Sequence, residues 1–186
     1  ACVAAAQFPN HIAISVNIGP QHFEIKGFAE LVMGILQETG LRPERLILEV
    51  LETAALGQSE TLDSNDNKLR GNGISIALDD FGTGNAGFEH LARFPFDKVK
   101  LDKAFVQGIG LSKSKQAIVQ ATRKLCDAFG TQMICEGIET EEDRSLVRLL
   151  GCDMGQGYLF AKPLTLENAV ASLNEHPNCV RLQESA

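Results

Sequence analysis

No stretch of this sequence stays apolar long enough to cross a membrane. The longest apolar runs, such as Ile12–Val16 and Ile74–Leu78, are strand-length, far short of the ~20 residues a spanning helix needs. A basic-then-apolar leader is lacking at the N-terminus, and a start at Ala1 rather than Met reads as that of a fragment. Positive charge is also scarce. The 17 basic side chains face 24 acidic ones, for a net charge of −7 and a pI near 5.1. Such a balance excludes general attraction to a nucleic-acid backbone, so no DNA or RNA duplex is expected as a partner. A phosphorylated ligand needs something other than net charge to draw it. Cysteine pairs at metal or redox spacing are missing too. Cys2, Cys126, Cys135, Cys152 and Cys179 contain no CxxC and are odd in number. They read as reduced, buried thiols of a cytoplasmic protein, not a disulfide scaffold or a zinc ribbon. His11, His22, His90 and His176 never approach HExxH spacing, which argues against histidine-based zinc chemistry.

What is present is an alternation of short apolar runs and longer segments of helical period. The 186 residues, 44% hydrophobic and 22% charged, suit one soluble domain spanning 1–186, and no Pro- or Gly-rich linker divides it. Six strands are predicted: His11–Val16, Arg45–Glu52, Gly73–Asp80, Asp97–Asp102, Gln132–Ile138 and Gly155–Phe160. Helical period covers Pro20–Thr39, with Phe28, Leu31, Val32, Ile35 and Leu36 on one face and Gly40 as the stop. It returns over 57–72, 85–93, Ser112–Phe129, Thr140–Leu150 and Leu164–Leu173. Ile118, Thr122, Leu125, Cys126 and Phe129 line one side of Ser112–Phe129, and Thr140 and Gly151 can bound Thr140–Leu150. Strand-helix alternation six times over predicts an α/β fold with a parallel sheet and right-handed crossovers. A doubly wound sheet would favour a glycine-rich turn after an early strand, yet Asn17-Ile-Gly-Pro follows the first one and no GxGxxG occurs. A barrel would gather polar residues at the C-terminal ends of its strands, and that pattern is present.

Asn17 ends the first strand, Glu49 and Glu52 the second, and Asp79 and Asp80 the third. Lys100 and Asp102 lie on the fourth, Glu136 and Glu139 at the end of the fifth, and Gln156 near the sixth. A parallel barrel brings these ends to one mouth. Buried carboxylates there need protons, hydrogen bonds or cations, and oxygen-only ligands suit Mg²⁺ or Mn²⁺. Blander roles compete. A lone aspartate at a strand end is more often a helix cap. Lys100 could pair with Asp102 at the same-face i+2 spacing, Gln156 could be a structural amide and Asn17 a cap. Two consecutive aspartates point to opposite faces of an extended strand, so a bend is needed for both to serve one ligand; Gly82-Thr-Gly84 can supply it.

The run DDFGTGNAGFEHLARFPFDKVKLDKAFV (79–106) resembles the core signature of EAL domains, the cyclic di-GMP phosphodiesterases. ILEVLET (47–53), ISVNIGPQHF (14–23), CEGIETEED (135–143) and GCDMGQGYLFAKPL (151–164) resemble four further signatures of that family, in order and at consistent spacing. The resemblance implies a modified TIM (β/α)₈ barrel, six βα units of which lie in this chain. It implies hydrolysis of cyclic di-GMP to linear pGpG with two divalent ions, Mg²⁺ or Mn²⁺. Asn17, Glu49, Asp79 and Asp80 match metal ligands, with Asp79 expected to bridge the ions. Glu136 matches an acidic group near the second ion, and Lys100 the lysine that orients the attacking water. Glu52 matches the glutamate that holds the loop after DDFGTG. Gln156 matches a polar pocket residue, and with Glu139 and Asp102 it is assigned to the substrate. The resemblance also implies a homodimer and an upstream sensory or GGDEF domain, the whole cytoplasmic or the cytoplasmic part of a membrane-attached protein. The Glu-Ala-Leu triplet that names the family occurs nowhere in this sequence. A whole barrel takes ~250 residues, so the domain is expected to be N-terminally incomplete, and a catalytically inactive cyclic di-GMP receptor is the alternative reading. Leu51 stands where the family often has Thr, and Asn85-Ala-Gly-Phe replaces the commoner Tyr-Ser-Ser-Leu.

Overall fold

A computed structural model describes residues 1–52, 59–84 and 91–175. The sequence expectations for 57–58 and 85–90, the Asn85-Ala-Gly-Phe replacement, His90, His176 and Cys179 lie outside the described residues. Six parallel strands, β1 (Ile14–Asn17), β2 (Leu46–Leu51), β3 (Ser75–Phe81), β4 (Lys98–Leu101), β5 (Gln132–Cys135) and β6 (Met154–Gly155), form one sheet in sequence order. The sheet is open, a half-barrel with β1 and β6 at its edges, flanked by helices. No helix among the described residues is long and apolar enough to cross a membrane.

Side-chain alternation sets the two faces. Leu48, Val50, Ile76, Leu78, Val99, Leu101 and Met133 point toward the helices and are buried almost completely, each contributing about 1.5–3 kcal/mol. Glu49, Asp79 and Lys100 have the opposite parity and face the concave side. This arrangement requires apolar and ionisable residues to alternate within one strand, as LEVL of β2 does.

The helices cover the outer face. The stretch expected as one helix over Pro20–Thr39 is two pieces, a 3₁₀ turn at Pro20–Glu24 and an α-helix at Phe28–Thr39, separated at Gly27 with φ 86°. Gly40, at φ 68°, ends the second piece as expected. Its buried seam is Phe28, Ala29, Val32 and Leu36, while Leu31 and Ile35 face outward; the stripe is narrower than apolar content suggested. In Lys113–Phe129, Val119, Thr122 and Cys126 are buried, and Ile118 and Phe129 are exposed. Ser112 and Thr140 cap their helices through backbone amides, Lys115 N–H and Asp143 N–H respectively.

Two buried polar side chains fasten the outer layer. Asn65, on the helix Glu60–Gly71, donates to the carbonyls of Phe23 (2.8 Å) and Ile25 (2.9 Å) and accepts from Ala29 N–H at 3.2 Å. Arg45 donates to the carbonyls of Ile12 and Ala5, each at 2.7 Å, and so ties the N-terminal helix Cys2–Ala5 to the foot of β2. The expected sixth strand over Gly155–Phe160 is only Met154–Gly155. Beyond it the chain turns, with Phe160 N–H donating to Gly157 O. A β-carbon on Gly157 would lie 2.1 Å from the Ile138 carbonyl oxygen. Gly157→Ala is therefore expected to cost about 1–3 kcal/mol, read by urea unfolding; an unchanged midpoint would show that the β5–β6 junction yields freely.

Candidate metal and phosphodiester site

The C-terminal ends of β2 to β5 converge on Lys100. Its Nζ donates to Glu49 Oε2 at 2.9 Å, Asp79 Oδ1 at 2.8 Å and Glu136 Oε1 at 2.9 Å. Lys100 is 5% exposed, Glu49 6% and Asp79 7%. The register explains the meeting. Leu51 pairs with Asp79 across β2–β3, and Lys100 pairs with Ile134 across β4–β5, two residues before Glu136. Burial alone would push the lysine toward its neutral form; the hydrogen bonds to Asp79, Glu136 and Glu49 outweigh it and hold the ammonium well above the usual lysine range. The alternative partner, Asp102, instead caps the short helix Lys103–Val106, accepting from Ala104 N–H at 2.8 Å.

Asp79 and Asp80 reach the same site because β3 bends at the second of them. Leu78 pairs with Val99 and Phe81 with Leu101, so β3 spends one more residue than β4 over that interval, a bulge. Asp80 sits there at φ 55°, the only described non-glycine residue with positive φ. The bend falls earlier than Gly82-Thr-Gly84 suggested. It brings carboxylate oxygens of Asp79, Asp80 and Glu136 within 4.8 Å of one another. Burial, then the charges of Asp79 and Asp102, raise the Asp80 carboxyl above its ordinary range. Burial also raises Glu136, against the lowering pull of Lys100 and with the help of Asp79 and Asp80. One ammonium faces four carboxylates here, Glu49, Asp79, Asp80 and Glu136. The excess negative charge, offered by oxygen alone, fits a hard divalent cation.

Glu52 lies behind the cluster, 1% exposed. Its Oε2 accepts from Gly82 N–H at 2.6 Å and Gly84 N–H at 3.2 Å, and its buried Oε1 has no hydrogen-bond partner among the described residues. Gly82 is held from the other side, since a β-carbon there would meet the Phe105 ring at 2.6 Å. Glu52→Ala strands two amides and is expected to destabilise the protein by about 1–3 kcal/mol and speed hydrogen exchange at Gly82 and Gly84. Unchanged exchange would remove Glu52 as the loop's anchor.

Asn17 and Gln156 sit at the rims. Asn17 pairs with Glu49 in the β1–β2 register and is exposed at the sheet edge. Gln156 is exposed and, with Glu136 and Glu139, lines a recess of about 240 Å³. Glu139 accepts from Gln107 Nε2 at 2.7 Å. Lys103, Gln107 and Tyr158 complete the recess and were missed in the sequence. Tyr158 is the chain's only tyrosine, and that solitary, exposed aromatic beside Gln156 was the available signal.

The EAL domain family model matches residues 1–163. The chain is 33% identical over 159 residues to the cyclic di-GMP phosphodiesterase RocR of Pseudomonas aeruginosa, covering 86% of this chain and 41% of that protein. It is 32% identical over 160 residues to the bifunctional diguanylate cyclase/cyclic di-GMP phosphodiesterase MucR of the same organism, covering 86% and 23%. Among solved structures, the EAL domain of Mycobacterium smegmatis DcpA superposes with a TM-score of 0.88 at 32% identity, over 94% of this chain and 81% of that one. Klebsiella pneumoniae BlrP1 in complex with manganese and cyclic di-GMP gives 0.79 at 32% identity, over 87% and 42%. The chain thus spans less than half the length of these curated relatives.

Proposed function

The chain belongs to the EAL domain family, and from that premise we propose that it is the catalytic region of a divalent-metal-dependent phosphodiesterase that hydrolyses cyclic di-GMP to linear pGpG. The observation that carries the reading is the set of buried Glu49 and Asp79 and half-buried Asp80 and Glu136 gathered around Lys100. Asp79, Asp80 and Glu136, with Glu49 and Asn17 beside them, would hold Mg²⁺ or Mn²⁺. When bound, such ions lower the pKa of water and offset charge developing on a phosphoryl group. They also reverse the local sign, so that a −7 chain accepts a dianionic ligand.

The chain's own groups have distinct tasks in this reading. Lys100 fixes three carboxylates in one orientation, and one of its three N–H groups would turn from a carboxylate to the attacking water. Glu52 holds the 82–84 turn and with it the bend that aims Asp80. Gln156 and Glu139 line the recess beside Glu136, which would take part of the nucleotide, and Asp102 is assigned to the same substrate side. The lengths of the relatives support a larger protein in which residues 1–186 are one N-terminally incomplete EAL domain. A GGDEF or sensory unit, a homodimer and a cytoplasmic location belong to the same proposal.

The test is incubation of the protein with cyclic di-GMP and Mn²⁺, with an EDTA control, followed by chromatography. Metal-dependent pGpG is expected. Nucleotide bound in calorimetry without pGpG would replace the enzyme by a receptor. Neither binding nor turnover would remove both readings.

A further inference from the structure

Cys135 and Cys152 are fully buried, free, and in sulfur-to-sulfur contact: Cys152 Sγ donates to Cys135 Sγ at 2.8 Å. A disulfide bond is ~2.05 Å long, so closure needs a sulfur shift smaller than a bond length. Cys152 also approaches the Met154 carbonyl at 3.2 Å. Nothing in the phosphodiester chemistry uses either thiol. Their positions are nevertheless consequential. Cys135 ends β5 one residue before Glu136, and Cys152 leads into β6, whose neighbour Gln156 donates its N–H to Cys135 O at 2.9 Å.

We propose that Cys135 and Cys152 form a reversible redox couple, a dithiol that closes to a disulfide with a peroxide as oxidant and reopens with a dithiol reductant. The Cys152 sulfur takes one peroxide oxygen to become a sulfenic acid; the O–O bond breaks and the other oxygen leaves as water. The Cys135 sulfur then bonds to the Cys152 sulfur, the S–O bond breaks, and a second water leaves with the Cys135 proton. Two thiols lose two electrons and two protons, and one peroxide becomes two waters. Exchange with a dithiol returns both thiols.

Access is controlled by β6. That strand is two residues long at the edge of the sheet and, among the described residues, pairs only with Ile134 and Cys135, so it opens locally more readily than the strands inside the sheet. Both sulfurs are shut off from solvent when the strand is closed. Oxidation is therefore slow, and the resting state is the dithiol. Once formed, the bridge closes a loop that carries Glu136, Glu139 and the helix Glu141–Leu149, constraining that segment in the unfolded chain.

The experiment exposes the purified chain to hydrogen peroxide under native conditions. Remaining thiols are then alkylated in denaturant, and tandem mass spectrometry locates any bridge. The expected product has Cys135 linked to Cys152, lacks two hydrogens, unfolds at a higher temperature than the reduced chain, and reverts with dithiothreitol. Cys152→Ala is expected to abolish both the bridge and the temperature shift. Recovery of Cys135 and Cys152 as alkylated thiols, under conditions that oxidise the half-buried Cys2, would overturn the proposal. So would pairing of either with another cysteine. The readout is the covalent state of the chain, so it stands whether or not the protein hydrolyses a nucleotide.

Discussion

Lys100→Met will destabilise the metal-free protein by about 3–5 kcal/mol, the usual cost of removing one member of a buried ion cluster. Glu49, Asp79 and Glu136 would then face one another in a pocket with no cation and no donor in place of Nζ. Methionine fills the volume of the lysine stem, so the loss reports charge and hydrogen bonding more than packing. A divalent ion supplies what the variant lacks, and Mn²⁺ is expected to stabilise the variant more than the parent. Urea unfolding with and without the ion measures both. The exposed pair Lys68–Glu30 is the control, since Lys68→Met should change stability by no more than ~1 kcal/mol. The pH dependence has a definite sign. The folded ammonium titrates above its unfolded value, so its contribution is complete below ~10.4 and declines as pH rises beyond that through the folded value. The parent will lose this alkaline component and Lys100→Met will not have it. Equal stability of the two at neutral pH would show that the carboxylates are not charged together in the metal-free site.

Asp79→Asn will reduce the proposed hydrolysis of cyclic di-GMP by about 10²–10³-fold or more while leaving the fold intact. Asparagine keeps an oxygen that can accept from Lys100 Nζ and from Asp80 N–H, the two bonds Asp79 Oδ1 makes. It removes the charge that, with Asp80 and Glu136, makes the cluster suitable for a divalent ion. The circular dichroism spectrum should therefore be unchanged, and the stabilisation by Mn²⁺ should shrink together with turnover. Parent-level turnover would dismiss the metal role of Asp79. Loss of turnover with undiminished Mn²⁺ stabilisation would place the ion elsewhere.

The strands and their polar ends were legible because parity within a strand is written residue by residue: LEVL and ALDD separate the outer face from the site without knowledge of the tertiary fold. Less legible was anything set by the meeting of distant segments. Helix faces were read too broadly, since Leu31 and Ile118 have the right spacing but no element lies over them in the described structure. The sixth strand was read too long because GYLF looks extended, whereas Gly157 must seat against the Ile138 backbone. The lysine inside VKL has partners 51, 21 and 36 residues away in sequence, whereas local spacing points only to Asp102. The adjacent aspartates require a bend, for which the sequence offers the glycines of Gly82-Thr-Gly84. The structure gives it to Asp80, a residue type that tolerates the left-handed region better than most.

Spatial order in this sheet equals sequence order, β1 to β6 without exception. A chain emerging from the ribosome can therefore add each strand to an edge that is already waiting, with no earlier strand displaced. The charged site would be assembled in the same sequence. Glu49 and Asp79 arrive first, and Lys100 emerges before Glu136. The two carboxylates thus meet their ammonium within a few dozen residues of synthesis, and the third joins a pair that already shares it. Nascent chains arrested after β4 should consequently hold Glu49, Asp79 and Lys100 in place, whereas arrest between β3 and β4 would leave a pair of buried acids with no counter-charge of their own.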